Sequence, residues 1–255
     1  MAIAGLDIGS VATKCVVVDD GRIIGAALVR TGTDTEKAAT RALADALQQA
    51  RLERAVLEKI VSTGYGRRQC GLADRVITEI SAAGAGAFRM NGRRPGLVVD
   101  IGGQDTKVIE INGEGSVSDF LMNDKCAAGT GRFLELMAQV LETDMEGFSQ
   151  LARSAEAPRR LNATCSVFAE SEVVSLIAHG ESKTNIAAGL FEAVASRVAA
   201  MLRQFQEQPV FFCGGGARSP ALRLALERLA GRPVQVLDPP QFVVAFGAAM
   251  LPDGV

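Results

Sequence analysis

The stretch Asp7-Ile-Gly9-Ser-Val-Ala-Thr13-Lys14 decides the fold, because its frame returns once later in the chain, as Asp100-Ile-Gly102-Gly-Gln-Asp-Thr106-Lys107. Both copies read Asp-Ile-Gly-x-x-x-Thr-Lys, and both run on into β-branched residues, Cys15-Val-Val-Val18 and Val108-Ile-Glu-Ile111. A glycine turn between two apolar runs is typical of a strand, a tight turn and a returning strand. The repeat therefore predicts a duplicated α/β fold in which each half opens with a hairpin.

Turn and helix signals complete each half of the chain. Asp19-Asp-Gly21 and Asn112-Gly113 follow the two β-branched runs, and such Asp-Gly or Asn-Gly pairs favour a two-residue hairpin turn. Apolar residues at helical spacing then predict helices over Thr35–Arg54, Gly131–Leu141 and Gly189–Phe205. Each half is thus expected to be a sheet covered by helices.

The repeat also predicts how the chain divides into domains. We expect two lobes around a nucleotide cleft, with residues 1–90 in the first lobe and residues 91–239 in the second. The C-terminal helix, at about residues 240–255, is expected to return to the first lobe. The second lobe would then carry the two cysteines discussed below.

Composition limits the class of protein. The 255 residues are 48% hydrophobic, which is ample for the core of one large domain or two smaller ones. A net charge of −2 offers no attraction to nucleic acid or to an acidic membrane. Apolar runs stay shorter than the roughly 18 residues of a transmembrane helix, and the N-terminus lacks the pattern of a signal peptide. We therefore expect a cytoplasmic protein that binds neither nucleic acid nor membrane.

The glycine turns predict a site for a nucleotide and Mg²⁺. Bare glycine backbone lets a phosphate approach closely, and Asp7 and Asp100 suit a hydrated Mg²⁺. Gln104 or Asp105 is expected to orient the water that attacks the terminal phosphate. The other predicted nucleotide contacts lie in the two hairpin turns, in a third glycine turn and near the last helix: Gly9, Ser10, Val11, Ala12, Thr13, Lys14, Gly102, Gly103, Gly214, Gly215, Gly216 and Gln241.

This order of motifs resembles the superfamily of actin, the sugar kinases and the 70-kDa heat-shock ATPases. The resemblance covers nearly the whole chain. It implies two hairpin loops that grip the phosphates of ATP or ADP and a glycine turn that holds the adenosine. The turn from Gly214 to Gly216 takes that last role by position.

Two of the five cysteines stand in polar or glycine-rich surroundings, directly before helical patterns. They are Cys126 and Cys165, and a helix N-terminus stabilises a thiolate. Cys15, Cys70 and Cys213 are expected to be structural. Spacing alone leaves ordinary buried thiols open for all five, because two ligands are too few for a four-iron cluster unless a two-fold dimer doubles them.

The sequence around these two cysteines is similar to the activators of 2-hydroxyacyl-CoA dehydratases. The matching runs are Asn123-Asp-Lys-Cys126-Ala-Ala-Gly-Thr-Gly-Arg-Phe-Leu134, Cys165-Ser-Val-Phe-Ala-Glu-Ser-Glu-Val173, Ser62-Thr-Gly-Tyr-Gly-Arg67 and the second Asp-Ile-Gly frame. Related activators serve benzoyl-CoA reductases.

The resemblance implies an ATPase that drives single electrons into a partner enzyme. It implies a homodimer with one [4Fe–4S] cluster, held by Cys126 and Cys165 of both subunits. The implied partners are a dehydratase or reductase component and an electron donor, ferredoxin or flavodoxin.

Three other interpretations stay open at this stage. A small-molecule kinase of the same fold would need no cluster and would leave both cysteines idle. A non-catalytic nucleotide sensor or scaffold is a second alternative, and an activator of a double-cubane cluster protein is a third. The chain has Ser81-Ala82 where many dehydratase activators have Cys-His, which leaves the subfamily open.

Overall fold

The structure is a computed structural model that describes residues 1–161 and 166–251, without the side chains of residues 166 and 167. Its elements, in chain order, are β1 (Ala2–Ile8), β2 (Ala12–Asp19), β3 (Arg22–Arg30), α1 (Thr35–Ala50), β4 (Leu57–Thr63), β5 (Arg75–Val76), α2 (Glu79–Met90), β6 (Gly96–Ile101), β7 (Thr106–Ile111), β8 (Val117–Asn123), α3 (Gly131–Val140), α4 (Met145–Arg153), α5 (Ser166–Ala178), α6 (Lys183–Leu202), β9 (Val210–Cys213), α7 (Pro220–Ala230), β10 (Val234–Val236) and α8 (Val243–Met250).

The chain folds into two compact units. The first unit contains Met1–Val98, Ile109–Phe120 and the chain from Leu237 onward. The second contains Val99–Val108 and Leu121–Val236.

The two five-stranded sheets share one strand order. The first sheet runs β3-β2-β1-β4-β5, and the second, read in the same sense, runs β8-β7-β6-β9-β10. In the first sheet β1 pairs antiparallel with β2 and parallel with β4. Each sheet therefore places a hairpin on one side of its central strand and two later strands on the other, which confirms the predicted duplication.

Helices cover both faces of the first sheet. One face of β1 packs its apolar side chains, including Leu6 and Ile8, against the apolar stripe of α1. On the opposite face Gly5 lies so close to α8 that a Cβ would overlap the carbonyl oxygen of Ala245. Burial of one apolar face on each side of the sheet is the main favourable term for this unit.

The predicted helices are present with shifted ends. The helix predicted to reach Arg54 ends at Ala50, because Arg51 adopts a left-handed conformation with φ 56° and closes it. The helix predicted from Gly189 begins earlier, where Ser182 caps it by accepting a hydrogen bond from the Asn185 amide. Polar residues at that helix start obscured the apolar period in the sequence.

Both predicted hairpin turns are present, and the second is wider than the first. At Asp19-Asp-Gly21 the chain makes the expected tight turn, with φ 46° at Asp20 and 73° at Gly21. At Asn112-Gly113 the loop is wider, since the Asn112 amide donates to the Ser116 carbonyl at 3.0 Å and Asn112 also accepts with its side chain. An asparagine side chain that bonds the following backbone favours this longer loop.

Helix α6 is long and apolar enough to cross a membrane, judged by length and composition alone. Most of it is buried inside the second unit, where it packs against α4 and α7. The rings of Phe148 on α4 and Phe191 on α6 lie 4.6 Å apart between centroids. A core helix passes the same test of length and composition, so this helix carries no argument for a membrane span.

Candidate functional site

The first glycine loop begins at an ion pair that the strands hold in place. Asp7 on β1 and Lys14 on β2 are register partners, and Lys14 Nζ lies 3.0 Å from Asp7 Oδ2. Partners in antiparallel register project from the same face of the sheet, so the hairpin itself positions both charges. The pair stands where β1 ends and the loop begins.

Hydrogen bonds from threonine hydroxyls stabilise the loop between β1 and β2. Thr31 Oγ1 donates to the Gly9 carbonyl oxygen at 2.7 Å and lies 2.9 Å from Thr13 Oγ1. Thr13 is buried, so a phosphate contact from its hydroxyl would require the bond to Thr31 to break. The other predicted contacts in this loop, which are half-buried, are Gly9, Ser10, Val11, Ala12 and Lys14.

The second loop has the same frame and a different charge arrangement. Lys107 Nζ lies 2.5 Å from Asp105 Oδ1 and 3.8 Å from Asp100 Oδ2. Its side chain is 2% exposed, whereas that of Lys14 in the first loop is 19% exposed. A lysine removed from water needs a countercharge, and here two carboxylates supply it.

The first amides of helix α3 donate hydrogen bonds to carbonyl groups of the second loop. The Gly131 amide donates to the Gly102 carbonyl at 2.8 Å, and the Arg132 amide donates to the Gly103 carbonyl at 3.0 Å. Both loop peptides are trans, so the N–H groups of Gly103 and Gln104 point away from α3. A loop that turns its carbonyls inward and its N–H groups outward is suited to an anion.

The two residues predicted to orient water differ in their surroundings. The Asp105 carboxylate is bound by Lys107, and its backbone carbonyl accepts a hydrogen bond from the Gly102 amide at 3.0 Å. Gln104 is exposed at the tip of the same turn. Asp105 therefore braces the loop, and Gln104 is the more accessible of the two.

The third glycine turn lies directly against the end of β6. Gly214 has φ 81°, and a Cβ there would overlap Asp100 Oδ1 and lie 2.6 Å from the Ile101 carbonyl oxygen. A Cβ at Gly216 would lie 2.8 Å from the Ile101 Cβ, whereas Gly215 is exposed and has nothing within 4 Å of a Cβ. The structure thus brings this turn together with Asp100, with Gly215 facing open space.

A matching turn in the first unit was missed in the sequence analysis. Gly64 follows β4 with φ 86°, and a Cβ there would lie 2.6 Å from Asp7 Oδ1. A Cβ at Gly66 would lie 2.5 Å from Ile8 Cγ2. The signal was present as Gly-x-Gly after a strand in both halves, but Tyr65 interrupts the likeness to the three consecutive glycines of the second half.

Gln241 lies in a short 3-10 turn, Pro240–Phe242, just before α8 in the first unit. Its side chain is half-buried. Its predicted contact with a nucleotide stays a prediction.

Cys126 is half-buried and directly precedes a 3-10 turn, Ala127–Gly129, which leads into α3. The Asn123 side chain donates to the Cys126 carbonyl oxygen at 3.2 Å and so holds the backbone at this residue. Cys165 lies outside the described residues, directly before α5 in the sequence.

The other three cysteines are buried, as predicted for structural residues. Cys15 and Cys213 have no exposed surface, and Cys70 is nearly covered. Burial raises the pKa of the Cys15 thiol far above its ordinary value and also raises the pKa of Cys70. All three thiols are therefore shielded from solvent, and those of Cys15 and Cys70 ionise less readily than an exposed thiol.

The donor groups fit a nucleotide-bound Mg²⁺. Within residues 1–161 and 166–251 no three His, Cys, Asp or Glu side chains gather as a metal cage. Mg²⁺ does not need one, because it takes one or two carboxylates and completes its shell with phosphate oxygens and water. Asp100, beside a glycine turn that leaves no room for a Cβ, could supply one such carboxylate.

The duplicated sheets and their glycine turns define the fold class. A hexokinase of the ROK type from Thermus thermophilus superposes with a TM-score of 0.54 at 18% identity, covering 98% of both chains. At that identity the likeness concerns the fold alone. The chain has the duplicated fold of actin, the hexokinases and the heat-shock ATPases.

Closer comparisons establish the family. The model of the BadF/BadG/BcrA/BcrD ATPase family matches residues 4–252, and the chain belongs to this family of ATPases. It is 39% identical over 248 residues to the activator of lactoyl-CoA dehydratase from Anaerotignum propionicum, covering 96% of this chain and 95% of the relative.

Two solved structures agree with this assignment. The activator of 2-hydroxyisocaproyl-CoA dehydratase from Clostridium difficile, with bound ADPNP, superposes with a TM-score of 0.93 at 37% identity, covering 98% of this chain and 93% of that one. Component A of the (R)-2-hydroxyglutaryl-CoA dehydratase from Acidaminococcus fermentans gives the same TM-score and identity, covering 98% and 96%.

Proposed function

We propose that this chain is an ATP-dependent one-electron activator that works as a homodimer and delivers electrons to a 2-hydroxyacyl-CoA dehydratase or a related reductase. The observation that carries the proposal is the setting of Cys126, which is half-buried while the other described cysteines are buried. A half-buried thiol can ligate a group shared between two chains. Relatives that match nearly the whole chain are named activators of such dehydratases.

The nucleotide would bind as ATP or ADP with Mg²⁺, through both hairpin loops. Asp7 and Asp100 would hold the hydrated cation, which supplies positive charge for the transferred phosphoryl group. The position of each aspartate beside a glycine that excludes a Cβ supports this role. Because Lys107 already binds the Asp105 carboxylate, Gln104 is better placed to orient the attacking water.

The remaining predicted contacts divide between the phosphates and the adenosine of the nucleotide. The Gly9–Lys14 turn and the pair Gly102 and Gly103 would bind phosphates, the Gly214–Gly216 turn would bind adenosine, and Gln241 would contact the nucleotide from the first lobe. We propose that residues 1–90 with 240–255, and residues 91–239, act as two lobes that close on the nucleotide. Closure needs nucleotide contacts that differ between two states of the protein.

Cys126 and Cys165 of each subunit would supply the four thiolates that a [4Fe–4S] cluster takes. Each precedes a helical segment in the chain, and helix N-termini stabilise thiolates. A cluster bound there supplies a carrier for single electrons, which the nucleotide loops do not provide.

The proposed partners follow from this assignment. A reduced ferredoxin or flavodoxin would donate the electron, and the dehydratase or reductase component would accept it. An activator of a double-cubane cluster protein would use the same machinery with a different acceptor. We place the protein in the cytoplasm, where such donors and acceptors are found together.

The test is the iron content per dimer of protein purified without oxygen. We expect about four irons per dimer in the wild type, and a loss of nearly all iron in both Cys126→Ser and Cys165→Ser. Cys70→Ala is the matched control, because it removes a thiol that is buried and has no assigned ligand role. The measurement is iron analysis with an absorption spectrum before and after reduction.

The outcomes separate the competing functions. Iron retained in Cys70→Ala and lost in the other two variants supports the bridging cluster. A wild type without iron, even after reconstitution, would contradict the proposal and leave a small-molecule kinase or a nucleotide sensor of the same fold. ATP binding that survives in Cys126→Ser would show that the nucleotide site folds independently of the cluster ligands.

A further inference from the structure

We propose that Thr106, together with the first two amides of α3, couples phosphate binding at the second loop to the position of Cys126. Thr106 is then a positioning residue that acts through the segment from Cys126 to Arg132. The inference rests on the proposed nucleotide site at Gly102 and Gly103, and it specifies how that site reaches the cysteine.

The first part of the coupling is the pair of bonds between α3 and the loop. The first amides of a helix have no partner within the helix, and those of Gly131 and Arg132 donate to the carbonyls of Gly102 and Gly103. Each carbonyl shares a rigid peptide plane with the next N–H group. An anion that pulls on the N–H groups of Gly103 and Gln104 therefore rotates the same planes that α3 binds.

The second part is a side-chain bond in the same place. Thr106 Oγ1 donates to the Gly129 carbonyl oxygen at 2.6 Å, and Thr106 is 1% exposed. Thr106 is the first residue of β7 after the loop, so a displacement of the loop reaches Thr106 before the rest of the strand. A Cβ at Gly131 would lie 3.0 Å from the Gly102 carbonyl oxygen, which shows how closely the two segments approach.

The third part is the short, braced path from Gly129 to Cys126. The Thr130 hydroxyl donates to the Ala127 carbonyl at 2.8 Å, and Asn123 donates to the Cys126 carbonyl at 3.2 Å. A Cβ at Gly129 would lie 2.8 Å from Asn123 Nδ2, so the Asn123 side chain packs directly against the turn on that side. A shift of Gly129 is therefore passed to Cys126 rather than absorbed between them.

Coupling of this kind is reciprocal. Suppose that bound phosphate favours one position of the Cys126 segment by a given factor. Holding the segment in that position must then raise the affinity for phosphate by the same factor. Removing the Thr106 hydroxyl should weaken the coupling while leaving each site intact, since Thr106 contributes neither a predicted phosphate contact nor a thiol.

The experiment measures the alkylation rate of Cys126 in the full-length, iron-free protein, with and without MgADP or the MgATP analogue ADPNP. Peptide mass spectrometry separates Cys126 from Cys165, and Cys15 and Cys70 react slowly because burial raises the pKa of both thiols. In the wild type we expect nucleotide to change the Cys126 rate about fivefold or more, which is the range of ordinary allosteric coupling.

Three variants locate the coupling. Thr106→Val should reduce the nucleotide response below about twofold while nucleotide Kd stays within about threefold. Thr106→Ser keeps a hydroxyl and should restore the response. Thr31→Val is the matched control, because it removes a buried hydroxyl that binds a glycine carbonyl of the first loop, outside the path to Cys126, and it should keep the response at saturating nucleotide.

Three results would overturn the inference: no nucleotide response in the wild type, a full response in Thr106→Val, or an equal loss in Thr31→Val. Should Thr106→Val fail to fold, hydrogen exchange of the Gly131 and Arg132 amides in the wild type decides the matter. Nucleotide must alter their exchange rates, and unchanged rates contradict the coupling. Because every readout is taken without iron, a failure here is distinct from a failure of the cluster proposal.

Discussion

The two glycine loops share a frame, a strand order and a strand-end aspartate, and they differ in what holds their carbonyl groups. In the first loop the Gly9 carbonyl accepts a hydrogen bond from Thr31, which directly follows β3 of the same sheet. In the second loop the Gly102 carbonyl accepts from Gly131, in the segment that begins with Cys126. The first loop is fastened to its own sheet, and the second is fastened to the segment that bears the cysteine.

The charges follow the same division. Lys14 is partly exposed and pairs with a carboxylate on the neighbouring strand, whereas Lys107 is almost fully buried between two carboxylates. A partly exposed cation can be drawn to an incoming phosphate at little cost, while a buried cation between two carboxylates stabilises the strand ends that carry them. Lys14 is therefore the better placed of the two lysines to meet a ligand from solvent, and Lys107 braces the strands at the base of its loop.

The largest expected effect is on stability, and it tests whether the two loop lysines differ as their burial indicates. Lys107→Met leaves Asp100 and Asp105 without their shared cation and should cost about 3–5 kcal/mol of unfolding free energy, as removal of one buried ion-pair partner does. Lys14→Met should cost about 1 kcal/mol, because its ion pair is reached by water. Urea unfolding of both variants measures the difference, and equal losses would contradict the distinction between the loops.

An intermediate effect sharpens the comparison of the glycine turns. Gly64→Ala and Gly214→Ala each force a Cβ against a strand-end aspartate at positive φ, and each should lose about 2 kcal/mol or more. Gly231→Ala is the control, because Gly231 has φ 69° with nothing within 4 Å of a Cβ, and it should lose only about 1 kcal/mol. Thermal unfolding gives the ranking. A Gly231→Ala loss as large as the other two would mean that backbone strain alone explains them.

The smallest expected effect tests the fastening of the first loop. Thr31→Val removes the hydroxyl bonded to the Gly9 carbonyl and should cost about 1 kcal/mol, the net value of a typical hydrogen bond. Nucleotide should bind more weakly, yet the response of Cys126 to bound nucleotide should match the wild type. Alkylation at saturating nucleotide measures this response, and its loss in Thr31→Val would show that both loops communicate with the cysteine.

Local patterns in the sequence predicted much of this protein. The repeated frame placed Asp7 and Asp100 at strand ends, because alternating and β-branched runs bounded by glycine have few other stable forms. The same local chemistry placed Cys126 at the start of a helical turn and separated it from Cys15 and Cys213. Helix ends were less accurate, since a cap such as Ser182 or Arg51 depends on the conformation of a single residue.

Only the tertiary structure decided how these parts bind one another. The likeness of Gly64 to Gly214 became visible when each was found against an aspartate on the neighbouring central strand. The Thr106 hydroxyl binds the Gly129 carbonyl, and the Gly131 amide binds the Gly102 carbonyl. Both bonds join residues more than twenty positions apart in the chain, and no local pattern encodes such contacts. Sequence periodicity specifies which face of an element is apolar, whereas the partner of a particular carbonyl depends on which element is packed beside it.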